Sequence, residues 1–277
     1  MATENNLMLV RKVSGLLDHL ANGESSAADI ADAIGEPRSS IYRLLSSLQA
    51  EGLVEPGSRR GKYRLGFKLL PLATAVVARF DERTFARPTM ERIHELTGET
   101  VFLCVPRRDE AVCIERIDGK RVQSLALRLG GSLPLHAGAA ARSILAHRDE
   151  KEWDAYIERN APLHRFTPST PVEPGDLRRV LAATRAGGIS ISDQDVTLGV
   201  AALGVPITDY RGRLRAALSI SGVRESILGP DSASWRAALV EAARRSRAPS
   251  APTWRGPTCS TWANAPRSPP SPKCPTV

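Results

Sequence analysis

Six residues between Arg38 and Ser46 carry hydrogen-bonding chemistry at a spacing that collects them on one side: Arg38, Ser39, Ser40, Tyr42, Arg43 and Ser46. Interleaved with them, Ile41, Leu44, Leu45 and Leu48 recur at i, i+3, i+4 and i+7, the period of a helix with one apolar face. The apolar set must face a core, which turns the hydroxyls, the phenol and the guanidinium groups outward. Such side chains suit base edges and phosphates in a major groove. A plain solvent face would carry Glu and Lys pairs instead. The chemistry of this stretch is recognition, and its first candidate partner is double-stranded DNA.

The elements that must position these groups can be read from Ser26 to Leu53. Ser26 suits the N-cap of a first helix, with Asp29 near its positive end. Gly35 suits a tight turn, and Ala31, four residues earlier, is small enough for two helices to cross closely there. Ile30, Ile34, Ile41 and Leu44 fall at inward positions, and Pro37 fits the first turn of the second helix. The pattern is a helix-turn-helix. A preceding helix over 7–22, with Val10, Val13, Leu17 and Leu20 on one face, would close a three-helix core. After Leu53, two short extended runs flank a turn containing Arg59 and Arg60, with Lys62 just beyond, the pattern of a two-stranded wing. The wing and the outward helix face then form one docking surface. Two plainer readings stand beside these: a helical bundle that packs only protein, and a solvated hairpin whose charges contact nothing.

The chain has 277 residues, enough for two domains, with 42% hydrophobic residues and a formal charge of +8. That charge is misleading as a nucleic-acid footprint, because Arg244, Arg245, Arg247, Arg255, Arg267 and Lys273 place most of it after residue 243, where no acid occurs. Local distribution is more informative. Residues 1–36 are net acidic, whereas residues 37–66 hold Arg38, Arg43, Arg59, Arg60, Lys62 and Arg64 against only Glu51 and Glu55. Phosphate contact requires such a local surplus. No apolar run approaches the length of a membrane span, and the first twelve residues lack a signal-peptide core, so a cytoplasmic protein without a membrane partner is expected. Cys104, Cys113, Cys259 and Cys274 show no CxxC spacing, and the five histidines are scattered, so neither a metal site nor a disulfide framework is expected.

Residues 67–97 carry two further helical patterns, with Pro71 and Pro88 in early-turn positions. From Glu99 the pattern changes to antiparallel strand signals: TVFLCV, AVCIERI and VQSLALRL. Helical patterns follow at 137–147, 149–159 and 174–186, and then ISISD, VAALGVPIT and LRAALSISG read as strands. These imply an α+β two-domain chain: a DNA-binding domain over 1–66, a linker helix over 67–84, a mixed α/β sensor domain over 85–245 and a tail over 246–277. Eight prolines fall in residues 244–277 without hydrophobic period, so the tail is expected to be disordered. Its onset cuts off an amphipathic helix in mid-pattern, which fits a shifted reading frame or an ordinary basic tail. No GxSxG, HExxH, P-loop or dinucleotide fingerprint occurs, so no catalytic residue and no cofactor are expected. The alternative is a small-molecule hydrolase with an appended helix-turn-helix.

Four motifs in order, IADAIGEPRSSIYRLLSSLQAEGLV with YRLG, TGETVFL, GGSLPLHAGAAARSILA and GVAALGVPITDYRGRLRAALSISG, resemble bacterial transcription regulators of the isocitrate lyase regulator (IclR) type over residues 7–245. The resemblance implies a winged helix-turn-helix, a linker helix and a GAF-like effector domain with an antiparallel sheet. It also implies homodimers or dimers of dimers on palindromic operators and a small organic acid as effector. Carried over by position, the effector-binding residues are Ala139, Ser192, Asp193, Asp195, Val200, Ala202, Ser219 and Ser221. Ser219 and Ser221, two apart on a strand, share a face and suit a carboxylate; the plainer reading is that they cap a buried strand. His136 is placed to orient the pocket loop by a backbone hydrogen bond, or to be structural. Two departures from the family pattern are Ala140, Ala141 and Arg142, in place of a small residue, Gly and Lys, and Gly188 and Ile189, in place of Gly and Tyr.

Overall fold

The computed structural model describes residues 2–77, 80–120 and 127–245. Contacts divide the chain into two units between Phe80 and Asp81. The tail after Arg245, with its expected disorder, lies outside the described residues.

The first unit begins with α1 (Ala2–Leu20), which starts earlier than the sequence pattern suggests. Leu16 and Leu20 are its buried anchors, with Val13 and Leu17 packed beside them, while Val10 is 68% exposed. The expected inward stripe is thus corrected at one end, because the small core covers only the second half of α1. A two-residue strand β1 (Ser25–Ser26) leads into α2 (Ala27–Ile34), and a tight turn leads into α3 (Arg38–Ala50). Ser26 and Asp29 cap α2 reciprocally: the Asp29 amide donates to the Ser26 hydroxyl (3.2 Å) and the Ser26 amide to the Asp29 carboxylate (3.3 Å). Gly35 ends α2 at φ 69°, a left-handed conformation that glycine adopts without Cβ strain. Pro37 sits in extended conformation immediately before α3. Ile30, Ile41 and Leu45 are fully buried where the helices cross, against Ala31.

The wing consists of β2 (Val54–Pro56) and β3 (Lys62–Leu65). The sheet has three strands rather than two, in the order β1-β3-β2, with Ser25 opposite Tyr63 and Ser26 opposite Lys62. Two residues are too few for an alternating pattern to announce β1. The unit ends with α4 (Leu69–Val77), which holds Pro71 in its first turn.

The second unit opens with α5 (Asp81–Thr97). Pro88 lies inside this helix, not in an early turn, because α5 begins seven residues before it. A six-stranded antiparallel sheet follows, built from β4 (Thr100–Arg107), β5 (Glu110–Ile117), β6 (Ser132–Pro134), β7 (Ser190–Asp193), β8 (Val200–Thr208) and β9 (Leu214–Val223). Its order is β6-β5-β4-β9-β8-β7. The strand expected over VQSLALRL, residues 122–129, falls largely on residues 122–126, outside the described set, and residues 127–129 carry no strand. Phe102 and Cys104 face a core shared with α6 (Ala139–Ala146), α7 (Glu150–Asn160) and α8 (Pro174–Gly187). Val101 and Leu103 alternate to the other face, toward α5. The short α9 (Arg224–Ile227) and then α10 (Ser232–Arg245) complete an α/β layer arrangement of the GAF-like kind.

Candidate nucleic-acid interface and effector cavity

The outward side of α3 is arranged as the spacing predicts. Arg38, Ser39, Tyr42, Arg43 and Ser46 are exposed and Ser40 is half-buried, while Ile41, Leu44, Leu45 and Leu48 fill the core. Among the described residues, Arg38, Arg43, Arg59 and Arg60 have no carboxylate within ion-pair distance. Their full charge faces outward. Lys62 differs, since its ammonium lies 3.0 Å from Asp29 Oδ2 and ties the wing to the N-terminus of α2. Hydrogen bonds from Ser26 and then from Lys62 hold the Asp29 carboxyl at a pKa of about 2.

Sequence reasoning missed Glu24. Its carboxylate accepts from the Ser58 amide (2.8 Å) and the Ser58 hydroxyl (2.7 Å), fixing the wing turn next to Arg59. Those bonds lower its pKa below the usual carboxylate value. Gly57 is required there, because a Cβ would stand 2.8 Å from Glu24 Oε2 and 2.9 Å from Lys62 Cβ. A glutamate 34 residues before its partner leaves no periodic signal.

In the second unit a pocket of about 530 Å³, open solvent at its mouth included, lies between the sheet and the start of α6. Six of the eight residues placed by resemblance line it: Ala139, Ser192, Val200, Ala202, Ser219 and Ser221. Most of the remaining wall is apolar, from Phe102, Leu127, Leu133 and Val196 among others, and no charged side chain of the described residues joins it. The α6 N-terminus, Gly138 to Ala141, forms part of the lining; its N-cap is a glycine with no side chain of its own, and the Gly138 amide donates to the Asp195 carboxylate at 3.5 Å. The first-turn amides of Ala139, Ala140 and Ala141 therefore keep their donors unmatched by the helix itself. Gly204 permits this close approach, since a Cβ there would lie 2.7 Å from the Ala139 carbonyl. On the opposing strand Ser221 donates to the Ala201 carbonyl at 3.2 Å, as the strand-capping reading has it, whereas the Ser219 hydroxyl has no protein partner among the described residues.

Asp193 and Asp195 do not line the pocket, a correction to their placement by resemblance. Asp193 grips Arg224 with two bonds, Nε to Oδ1 at 2.6 Å and Nη2 to Oδ2 at 2.9 Å. Asp195 is buried behind the wall, where it accepts from the Arg142 guanidinium and the Ser192 hydroxyl. Arg142 also donates to the Ile191 carbonyl at 2.6 Å, so the departure at this position builds a buried ion pair under the pocket loop. Burial lowers the Arg142 pKa to about 10, leaving the side chain charged at neutral pH. Thr170 pins the same turn by donating to the Asp195 carbonyl at 2.7 Å. His136 bonds through Nε2 to the His164 carbonyl (2.9 Å) and through Nδ1 to the Tyr156 hydroxyl (2.8 Å). Burial lowers its pKa and fits it to a neutral, positioning role.

A winged helix-turn-helix with unpaired cations, joined in one chain to a domain with a largely apolar cavity, defines the class of DNA-binding transcriptional regulator. Residues 9–57 match the IclR helix-turn-helix domain, and residues 74–247 match the bacterial transcriptional regulator IclR C-terminal domain. The chain belongs to the IclR family. It is 32% identical over 219 residues to the HTH-type transcriptional regulator XynR of Escherichia coli, covering 79% of this chain and 86% of that protein. The crystal structure of the Thermotoga maritima IclR superposes with a TM-score of 0.67 at 30% identity, covering 87% of this chain and 97% of the other. An IclR homolog from Microbacterium hydrocarbonoxydans complexed with 4-hydroxybenzoate gives a TM-score of 0.71 at 27% identity, covering 86% and 97%. No described helix is long and apolar enough to cross a membrane, and no described group of His, Cys, Asp and Glu is placed to hold a metal ion.

Proposed function

We propose that this regulator binds a palindromic operator as a homodimer or a dimer of dimers and is switched by a small organic acid in the pocket of its second unit. Residues 1–66 serve as the DNA-binding domain, 67–84 as the linker and 85–245 as the effector domain. Arg38, Ser39, Ser40, Tyr42, Arg43 and Ser46 read the major groove, while Arg59, Arg60 and, in part, Lys62 hold phosphates. Exposed Phe67, Leu70, Leu72 and Val76 support association of two copies around α4.

The observation that carries the effector reading is the convergence of the first-turn amides of α6 and the unmatched Ser219 hydroxyl on a cavity with no charged lining among the described residues. An anion there is held by amide and hydroxyl donors, and the apolar walls suit a compact ring. The 4-hydroxybenzoate complex of the related regulator supports an aromatic monocarboxylate. Because the ligand acts through differential affinity for two arrangements of the dimer, its binding and its effect on DNA are thermodynamically linked. Calorimetric titration with 4-hydroxybenzoate and with its neutral amide tests the chemistry. The acid is expected to bind at least about tenfold more tightly, given about 1.5–3 kcal/mol per hydrogen bond to a charged group. Equal affinities remove the carboxylate from the proposal. Replacing Ser219 and Ser221 together by Ala is expected to abolish the effector response and to leave operator binding intact.

A further inference from the structure

Two of the four cysteines, which sequence spacing left idle, meet across the sheet. Cys104 on β4 stands directly opposite Cys113 on β5, just past a bulge in the pairing. The Cys113 amide donates to the Gly131 carbonyl (2.9 Å) and its carbonyl accepts from Gly130 (2.8 Å), so both backbone groups point away from β4. Cys104 and Cys113 are therefore a non-hydrogen-bonded pair, the closer of the two antiparallel arrangements, at about 4.5 Å between Cα atoms. That separation falls inside the range a disulfide spans. Both side chains belong to the same buried cluster with Phe102 and Ala111, so they share a face of the sheet. Both are free thiols, and the Cys104 side chain forms part of the pocket wall.

We propose that Cys104 and Cys113 are an oxidisable dithiol, closed to a disulfide in the folded protein by a small two-electron oxidant that enters through the pocket. With a diazenedicarboxamide, one thiolate adds to the N=N bond. The second thiolate then attacks the bound sulfur, forming the S–S bond and releasing the hydrazine, which keeps both thiol protons. With a peroxide, the first thiolate attacks one peroxide oxygen; the S–O bond forms as the O–O bond breaks, leaving a sulfenic acid on the cysteine and releasing hydroxide from the peroxide. Attack by the second thiol closes the disulfide and releases water. Closure draws Sγ of Cys104 toward β5 and replaces a thiol in the lining by a fixed bridge. The hydrogen bond with Cys113, together with burial, raises the Cys104 pKa well above the usual thiol value. Reaction is therefore slow at neutral pH and accelerates as pH rises, because the thiolate is the reacting form.

The full chain with Cys259 and Cys274 replaced by Ser isolates the pair. Native protein is treated with diamide, its remaining thiols are alkylated, and it is digested with trypsin without reductant. Cleavage at Arg107, Arg108 and Arg116 separates a peptide over 93–107 from one over 109–116. The expected result is a linked 93–107/109–116 species, 2 Da lighter than the two peptides together. It forms at least tenfold faster at pH 9 than at pH 7 and returns to two free thiols with dithiothreitol. Cys104→Ala and Cys113→Ala should each abolish the link; if either variant fails to fold, the native wild-type pair at these cysteines still decides. Circular dichroism of the treated protein must match the untreated. Two alkylated, unlinked peptides after prolonged treatment, or a link that forms only in denaturant, overturns the proposal. The dithiol's failure leaves the effector reading untouched, because no carboxylate enters this experiment.

Discussion

Arginine serves opposite ends in the two units. On α3 and the wing, Arg38, Arg43, Arg59 and Arg60 are left without carboxylates and exposed. In the second unit Arg142, Arg215 and Arg224 are each bound to an acid: Asp195, Glu82 and Asp193. The contrast separates two kinds of recognition. Phosphates are bound by charge that the protein leaves uncompensated, and binding then depends on salt. In the proposed effector pocket a small acid would be bound by oriented dipoles, while formal charges are neutralised behind the wall. Net charge alone blurs this difference, since most of the surplus lies in neither region.

Removing one partner of the buried pair tests the structural half most severely. Arg142→Ala leaves Asp195 buried without its cation, and a loss of about 3–5 kcal/mol is expected in a urea titration. Replacing both Arg142 and Asp195 with Leu should recover much of that loss, since an apolar pair of similar volume removes both charges. A single variant as stable as wild type would show that the pair is solvated and the contrast illusory. On the recognition side, Arg43→Ala should weaken operator binding by about 1–3 kcal/mol if it reads a base, and equally on all sequences if it touches only phosphate. Unchanged affinity in a gel-shift titration removes Arg43 from the interface. Next in size, Arg59→Ala with Arg60→Ala should reduce the salt slope of binding by about 2, one per phosphate contact, with little change in sequence preference.

How much was legible follows the same division. Periodicity over Ile41, Leu44, Leu45 and Leu48 orients α3, because an exposed recognition face needs only local rules: a cap at Ser26, a turn at Gly35 and an apolar stripe. The strands around Cys104, Leu203 and Leu218 were also visible as apolar runs. Beyond local reach lay contacts between residues far apart in sequence. Glu24 reaches Ser58, and β1 pairs with β3, through two serines that carry no pattern. At the pocket, six of the positions given by resemblance, all small residues, serines or a valine, line the cavity, whereas Asp193 and Asp195 do not. Asp193 is the last residue of β7, on the face opposite the pocket-lining Ser192, and Asp195 lies two residues past the strand, where alternation no longer tells which way a side chain points. Their partners, Arg224 and Arg142, lie 31 and 53 residues away. Pro88 lies inside α5 for a related reason: the helix starts in a charged segment without apolar period, so its first turns leave no signal in the sequence.

The smallest effect sharpens the comparison where the two uses of charge meet, at the wing turn. Glu24 lies near the unpaired Arg59, and its bonds to Ser58 hold the turn that presents Arg59. Its carboxyl lies below the ordinary value of 4.5, because the charged form accepts both Ser58 donors. A depressed carboxyl contributes order that is present above the unfolded-state pKa and is lost as pH falls through the folded value. Wing order should therefore be constant from neutrality down to about pH 4.5 and decline below it. The Ser58 amide resonance, followed by NMR, should titrate with a midpoint below 4.5, and Glu24→Gln should remove that titration while the α3 resonances stay in place. A midpoint at or above 4.5 would mean that Glu24 does not hold the turn. The arginines at the tip would then be ordered only by the phosphates they meet.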